Sequence, residues 1–166
     1  MPVPTARPAT AGLDALRALA VLAGLALAGC APAPAPAPAA GPVYGAAPTG
    51  LPFSEAVRDG DLLFVSGQIG NVPGTLELAP GGLRAEAAQA LSNIRAIVER
   101  HGSSMSQVVK CTVFLADMKE WSDFNEVYRK AFPADLPARS ALGTSGLALG
   151  ARVEVECIAH VPPRGR

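Results

Sequence analysis

The chain has 166 residues, enough for one domain of ordinary size but not two. Fourteen basic residues balance fourteen acidic ones, which argues against a nucleic-acid surface built on bulk charge, and two His with three scattered Cys, in no CxxC or HxxxH spacing, leave too few clustered ligands for a structural zinc site. The charge is also unevenly placed: apart from Arg7, Asp14 and Arg17, every charged residue lies at or beyond Glu55, so the first third and the remainder are physically different polymers.

From Ala18 to Ala28 runs ALAVLAGLALA, preceded by Arg7 and Arg17. The run is too short to span a bilayer, which needs about 20 apolar residues, and has the length of a signal-peptide hydrophobic region. It leads into Leu27-Ala28-Gly29-Cys30, and LAGC resembles the bacterial lipobox. That resemblance implies cleavage after a signal peptide of residues 1–29, lipidation of Cys30 and an exported protein anchored to a membrane facing the periplasm. A translation start downstream of Cys30 would instead leave the domain in the cytoplasm. Pro32, Pro34, Pro36 and Pro38 alternate with Ala in the next stretch, and each Pro fixes φ and keeps its predecessor out of the helical region. A polyproline II spacer follows, rising about 3.1 Å per residue. Residues 30–49 are thus expected to form the lipidated tether and residues 50–166 the folded domain.

In the folded part, LLFVSGQI from Leu62 to Ile69 is apolar and β-branched and bounded by Asp59-Gly60 and Gly70-Asn71, which predicts a buried strand. Leu83 to Glu99 predicts an amphipathic helix, with Leu83, Ala87, Leu91, Ile94 and Val98 on one face and Gly102 beyond its end. Val108 to Ala116 reads as the next strand. A second helix is expected from Trp121 to Phe132, with Trp121, Phe124, Tyr128 and Phe132 on its apolar face and Pro133 as its stop. Two strands close the chain, about Ala138 to Thr144 and Arg152 to His160.

The last strand carries the most information. Val153, Val155, Cys157 and Ala159 alternate with Glu154, Glu156, Ile158 and His160, so one face packs on helices and the other presents two neighbouring carboxylates. Both helices on one side of the sheet would leave its other face open for oligomerisation. The class expected is α+β. Cys111 and Cys157 fall mid-strand on the helix-facing side, where a small buried hydrophobe is the simpler role. An exported protein would also permit a disulfide between them if their strands are neighbours. His101 is placed at a helix end and His160 at a strand end, neither as a catalytic group.

Taken together, PFSEAV from Pro52, LLFVSGQIG from Leu62, QALSNI from Gln89, VVKCTVFLADM from Val108, NEVYRKAFP from Asn125, PARSAL from Pro137 and GARVEVECIA from Gly150 resemble the Rid family, also called YjgF or RidA. The resemblance covers nearly all of Leu51 to Val161. It implies a chorismate-mutase-like fold, a mixed sheet with two helices on one face, assembled as a homotrimer with sites in the clefts between subunits. It also implies a cofactor-free, metal-free hydrolysis of enamines and imines such as 2-aminoacrylate to 2-oxo acids and ammonia.

The chemistry of the matching residues is consistent with that reaction. A guanidinium fork gives a carboxylate two parallel charge-assisted hydrogen bonds, and Arg139 matches the family arginine that holds the substrate carboxylate. Glu154 matches the carboxylate that positions water and manages its proton. Ser66, Asn125 and Phe53 match pocket-lining positions. The plainer reading is that Arg139 and Glu154 form an ion pair between strands or subunits. Phe53 stands where many members have Tyr, and Ala141 where many have Cys, so the pocket is expected to be less polar and to favour a bulkier or more apolar imino acid. Two other functions stand beside the deaminase: a non-enzymatic trimer that binds small carboxylates through Arg139, and an endoribonuclease, which the neutral charge disfavours.

Overall fold

The computed structural model describes residues 41–46 and 50–163. The signal-peptide, lipidation and most of the tether assignments, Cys30 among them, lie outside the described residues. Six strands form one sheet: β1 (Val43–Tyr44), β2 (Ala56–Asp59), β3 (Leu62–Ile69), β4 (Val108–Leu115), β5 (Ala138–Gly143) and β6 (Val153–His160), in the spatial order β1-β2-β3-β6-β4-β5. Helix α1 (Leu83–Arg100) joins β3 to β4, and α2 (Trp121–Ala131) joins β4 to β5. The fold is α+β, a mixed sheet with two helices, as the resemblance implies.

The topology explains why both helices share one face. Strands β3 and β4 are each antiparallel to β6, which lies between them, and are therefore parallel to each other; β5 pairs with β4 in parallel. Each helix is thus a crossover between parallel strands, and two right-handed crossovers advancing in the same direction put both helices on the same side. Leu91, Ile94 and Val98 of α1 and Phe124 and Tyr128 of α2 pack on Leu63, Val65, Val113, Leu115, Val153 and Val155 of the sheet. The alternation predicted for β6 is present: Val153, Val155, Cys157 and Ala159 are buried, while Glu154, Ile158 and His160 are half-buried and Glu156 exposed. Arg84 of α1 reaches Asp123 and Glu126 of α2 at 3.0 and 2.5 Å, an exposed clasp that contributes little to stability.

Two strands were not anticipated. β2 pairs with β3 through Asp59↔Leu62, and the turn between them is made by Gly60-Asp61, with Gly60 at φ 58. Gly-Asp between two apolar stretches is a hairpin signal, but AVRD is only four residues long and has two charged members. β1 is a two-residue strand paired with Val57 and Arg58, so the sheet begins ahead of residue 50. Glu55, just before β2, is held by Arg100 and by His101 Nε2 at 3.2 Å, which fixes the hairpin to the end of α1. Burial would raise the Glu55 pKa, but the hydrogen bonds from Arg100 and His101 outweigh it and hold the carboxyl below its ordinary range.

The cysteine reading needs correcting. Cys111 and Cys157 are direct partners across the antiparallel β4–β6 pair, both fully inside the core, and their sulfurs are bonded to each other. They are a cross-strand disulfide and not two small hydrophobes. Trp121 is also misplaced by the helical pattern. As the first residue of α2 it is 44% exposed, while Phe124, Tyr128 and Phe132 stack in series behind it with centroid separations of 5.6 and 4.7 Å.

Candidate active site

The residues singled out from sequence fall into two groups on different parts of the fold. The first surrounds Arg139. In the parallel β4–β5 ladder Arg139 lies opposite Cys111, so its side chain leaves the sheet on the helix-facing side and meets α2. Its Nη2 donates to Asn125 Oδ1 at 2.7 Å, and the guanidinium carbon lies 4.7 Å from the Tyr128 ring centroid, 5.7 Å from Phe124 and 6.0 Å from Trp121. One hydrogen bond and three aromatic rings therefore orient the fork without neutralising it. Among the described residues no carboxylate lies within ion-pairing distance of Arg139, whereas Arg84, Arg100 and Arg152 are each paired. The ion pair with Glu154 is therefore absent within the chain.

Beside Arg139 is a cleft of about 320 Å³ lined by Trp121, Asn125, Tyr128, Arg129, Leu136, Pro137 and Arg139. Tyr128 is buried and its hydroxyl has no hydrogen-bond partner among the described residues. Burial pushes its pKa up to about 12 against the opposing pull of Arg139, so it stays protonated. Sequence periodicity had given Trp121 and Tyr128 only to the core; it could not show that a strand edge ends beside them with an arginine.

The second group gathers where β3 departs from regular pairing. Val65 faces Cys157 and Gln68 faces Val155, so Ser66 and Gly67 together oppose Glu156, a β-bulge. Ser66 is anchored there: its backbone N–H donates to Glu55 O at 3.0 Å and its hydroxyl to Ser54 O at 2.7 Å, which brings the loop carrying Phe53 against the bulge. Phe53 itself is 46% exposed. The carboxylate of Glu154 lies directly on Gly67, where any Cβ would collide with it. Gly67 thus joins the candidate site, and the signal that could have found it was a glycine inside a strand pattern. Burial, reinforced by the neighbouring Glu156, raises the pKa of Glu154 above the ordinary carboxylate value.

Glu154, if it acts as a base, must be ionised, so activity is expected to rise with pH through this elevated pKa, and Glu154→Gln should remove that acidic limb from the kcat/KM profile. Gly67→Ala should displace the carboxylate while leaving the strand folded. We expect a loss of kcat on the order of tenfold to a hundredfold with little change in melting temperature, since general acid–base positioning is worth about 10² or more.

The two groups do not meet in one protomer. Glu154 and Arg139 are on strands separated by β4, about 10 Å across the ladder, and project from opposite faces. Within one protomer the two groups are separate. The open face between them carries Phe64 and Leu142, 43% and 42% exposed, together with Leu62, Ile158 and Phe114.

Comparison with known proteins places residues 45–161 in the family profile described as Endoribonuclease L-PSP. The chain is 43% identical over 112 residues to a mouse protein named 2-iminobutanoate/2-iminopropanoate deaminase, covering 68% of this chain and 83% of that one. Among solved structures, yeast Mmf1 superposes with a TM-score of 0.69 at 34% identity, over 73% of this chain and 99% of its own. The crystal structure of E. coli TdcF with bound serine gives 0.65 at 34%, over 72% and 93%.

Proposed function

The chain belongs to the Rid family, the YjgF/RidA or endoribonuclease L-PSP group, and from that premise we propose that it hydrolyses 2-imino acids, and the enamines in equilibrium with them, to 2-oxo acids and ammonia. The observation that carries the reading is Arg139, a guanidinium oriented by Asn125 and aromatic rings, with no carboxylate partner among the described residues, at the mouth of a cleft. Such a fork holds the carboxylate of an imino acid. The imine carbon then accepts the oxygen of a water deprotonated by Glu154. Glu154 returns that proton to the nitrogen of the tetrahedral adduct, which leaves as ammonia as the C–N bond breaks, and the C=O bond forms as the hydroxyl releases its proton to the departing ammonia. Substrate iminium and water give 2-oxo acid and ammonium, so no cofactor is required.

A small substrate cannot reach Arg139 and Glu154 in one protomer. The working site in this reading is made between protomers of a homotrimer, Arg139 and Asn125 coming from one copy and Phe53, Ser66 and Glu154 from the next. The exposed apolar side chains on the open sheet face support such an assembly. The test is release of ammonia and 2-oxo acid from imines generated in situ by an amino-acid oxidase. Absence of release, with 2-oxo acids still raising the melting temperature, would instead favour a carboxylate-binding protein, a reading encouraged by the serine bound to TdcF. The balance of fourteen basic and fourteen acidic residues offers an RNA backbone little attraction.

For localisation we propose export and lipidation at Cys30. Support comes from LAGC and from the Cys111–Cys157 disulfide, since such bonds persist in oxidising compartments. Cys30→Ser is expected to leave a larger precursor that takes up no labelled fatty acid; unchanged mobility and soluble fractionation would reject the anchor.

A further inference from the structure

We infer that Glu86, a buried acid with no part in the proposed chemistry, is the positioning residue for Glu154, and that it acts by clamping the ends of β3 and β6 together from the helix side of the sheet. Glu154 is the last residue of β6 paired with β3, opposite Ile69, so on its β3 side the chain ahead of it has no ladder partner. Strand ends left in that way open readily. Glu86 reaches both strands just beyond this last pair. On the β6 side its Oε2 accepts the Arg152 N–H at 2.8 Å. On the β3 side Gly70, which follows Ile69, lies so close to the helix that an added Cβ would collide with the Glu86 backbone. Glu86 is only 5% exposed and stands in the first turn of α1, where the helix N-terminus favours an acidic side chain. Burying an acid is costly unless its oxygens are hydrogen-bonded, and the Arg152 amide supplies that bond. The Arg152 guanidinium goes elsewhere, to an exposed pair with Glu120 that contributes little. All of these contacts lie within one chain, so the clamp is complete in each protomer. It rests on the deaminase reading for its effect on turnover, and on the fold alone for its geometry.

Three variants separate the parts of the clamp. Glu86→Gln keeps an acceptor for the Arg152 N–H, Glu86→Asp keeps the acid but draws it back by one methylene, and Glu86→Met keeps the packing without a strong acceptor. With imines generated in situ, Glu86→Asp and Glu86→Met should lose kcat about tenfold to a hundredfold while KM stays within about twofold, because a misplaced base is felt in kcat and Arg139 still holds the carboxylate. Glu86→Gln should retain kcat. NMR titration of the Glu154 side-chain carboxyl in the intact protein adds a readout independent of turnover. Burial, with Glu156 beside it, raises that pKa, so a loosened strand end should admit water and lower it in Glu86→Asp and Glu86→Met but not in Glu86→Gln. Wild-type kcat in a folded Glu86→Asp overturns the clamp, as does a loss that Glu86→Gln shares or one that falls on KM. If Glu86→Met does not fold, the comparison of Glu86→Asp with Glu86→Gln decides. Absence of turnover in the unaltered protein overturns the deaminase alone. The clamp then stands if the Glu154 titration moves in Glu86→Asp and holds in Glu86→Gln, and falls if it moves in neither or in both.

Discussion

Arg139→Ala is expected to reduce kcat/KM for imino acids by two to four orders of magnitude while the domain stays folded. Two parallel charge-assisted hydrogen bonds to the substrate carboxylate are worth about 1.5–3 kcal/mol each, and each 1.4 kcal/mol is roughly tenfold in rate. Within the protomer, by contrast, Arg139 makes a single hydrogen bond, to Asn125, from an edge strand. With the contacts to the aromatic rings included, its loss should cost stability about 1–3 kcal/mol. Arg139→Lys keeps the charge but not the fork and should recover only part of the activity. Steady-state kinetics with in-situ imines, paired with thermal melts, checks both halves. A variant that melts many degrees lower, or that retains turnover, would mean that Arg139 is structural.

Breaking the disulfide should act in the opposite sense, on stability and not on chemistry. Cys111 and Cys157 are separated by 46 positions, and closing a loop of that length lowers unfolded-state entropy by an amount worth up to about 4 kcal/mol. A domain of this size responds to each kcal/mol with a shift of several degrees, so reductant or Cys111→Ala/Cys157→Ala is expected to lower the melting temperature by roughly 10 °C or more. Two free thiols in unfolded, non-reduced protein, or a melt indifferent to reductant, would contradict the bond. Because both sulfurs are fully buried, reductant should act at the rate of unfolding and leave the native protein untouched over short exposures.

What was readable in the sequence was whatever local pattern controls. Strong apolar periodicity places β3, α1, β4, α2, β5 and β6 to within a residue or two of their ends, and the alternation in β6 separates its buried and open faces correctly. β1 and β2 escaped because short strands with charged members owe their existence to their partner β3, and pairing is not a local property. The candidate site residues were named through the resemblance, but where the fold places them relative to one another was not legible. Arg139 and Glu154 belong to strands adjacent in sequence, and only the strand order and the register show that β4 separates them and that they leave the sheet in opposite directions. Gly67 and the Arg139 aromatic surround depend on a bulge and on a strand edge beside a helix, features that tertiary pairing creates. The disulfide likewise turned on register: with Cys111 one position off Cys157 the thiols would face opposite sides of the sheet.

The clasp of Glu55 by Arg100 and His101 has a mechanical side. A pull applied at the amino end reaches the domain at Val43–Tyr44, whose two residue pairs with β2 can be peeled one at a time. Behind them the load passes into Glu55, and through it to the end of an 18-residue helix packed along the whole core. The short strand can therefore open as a seam, while the charged clasp stops the opening short of the bulge where Ser66 and Glu154 sit.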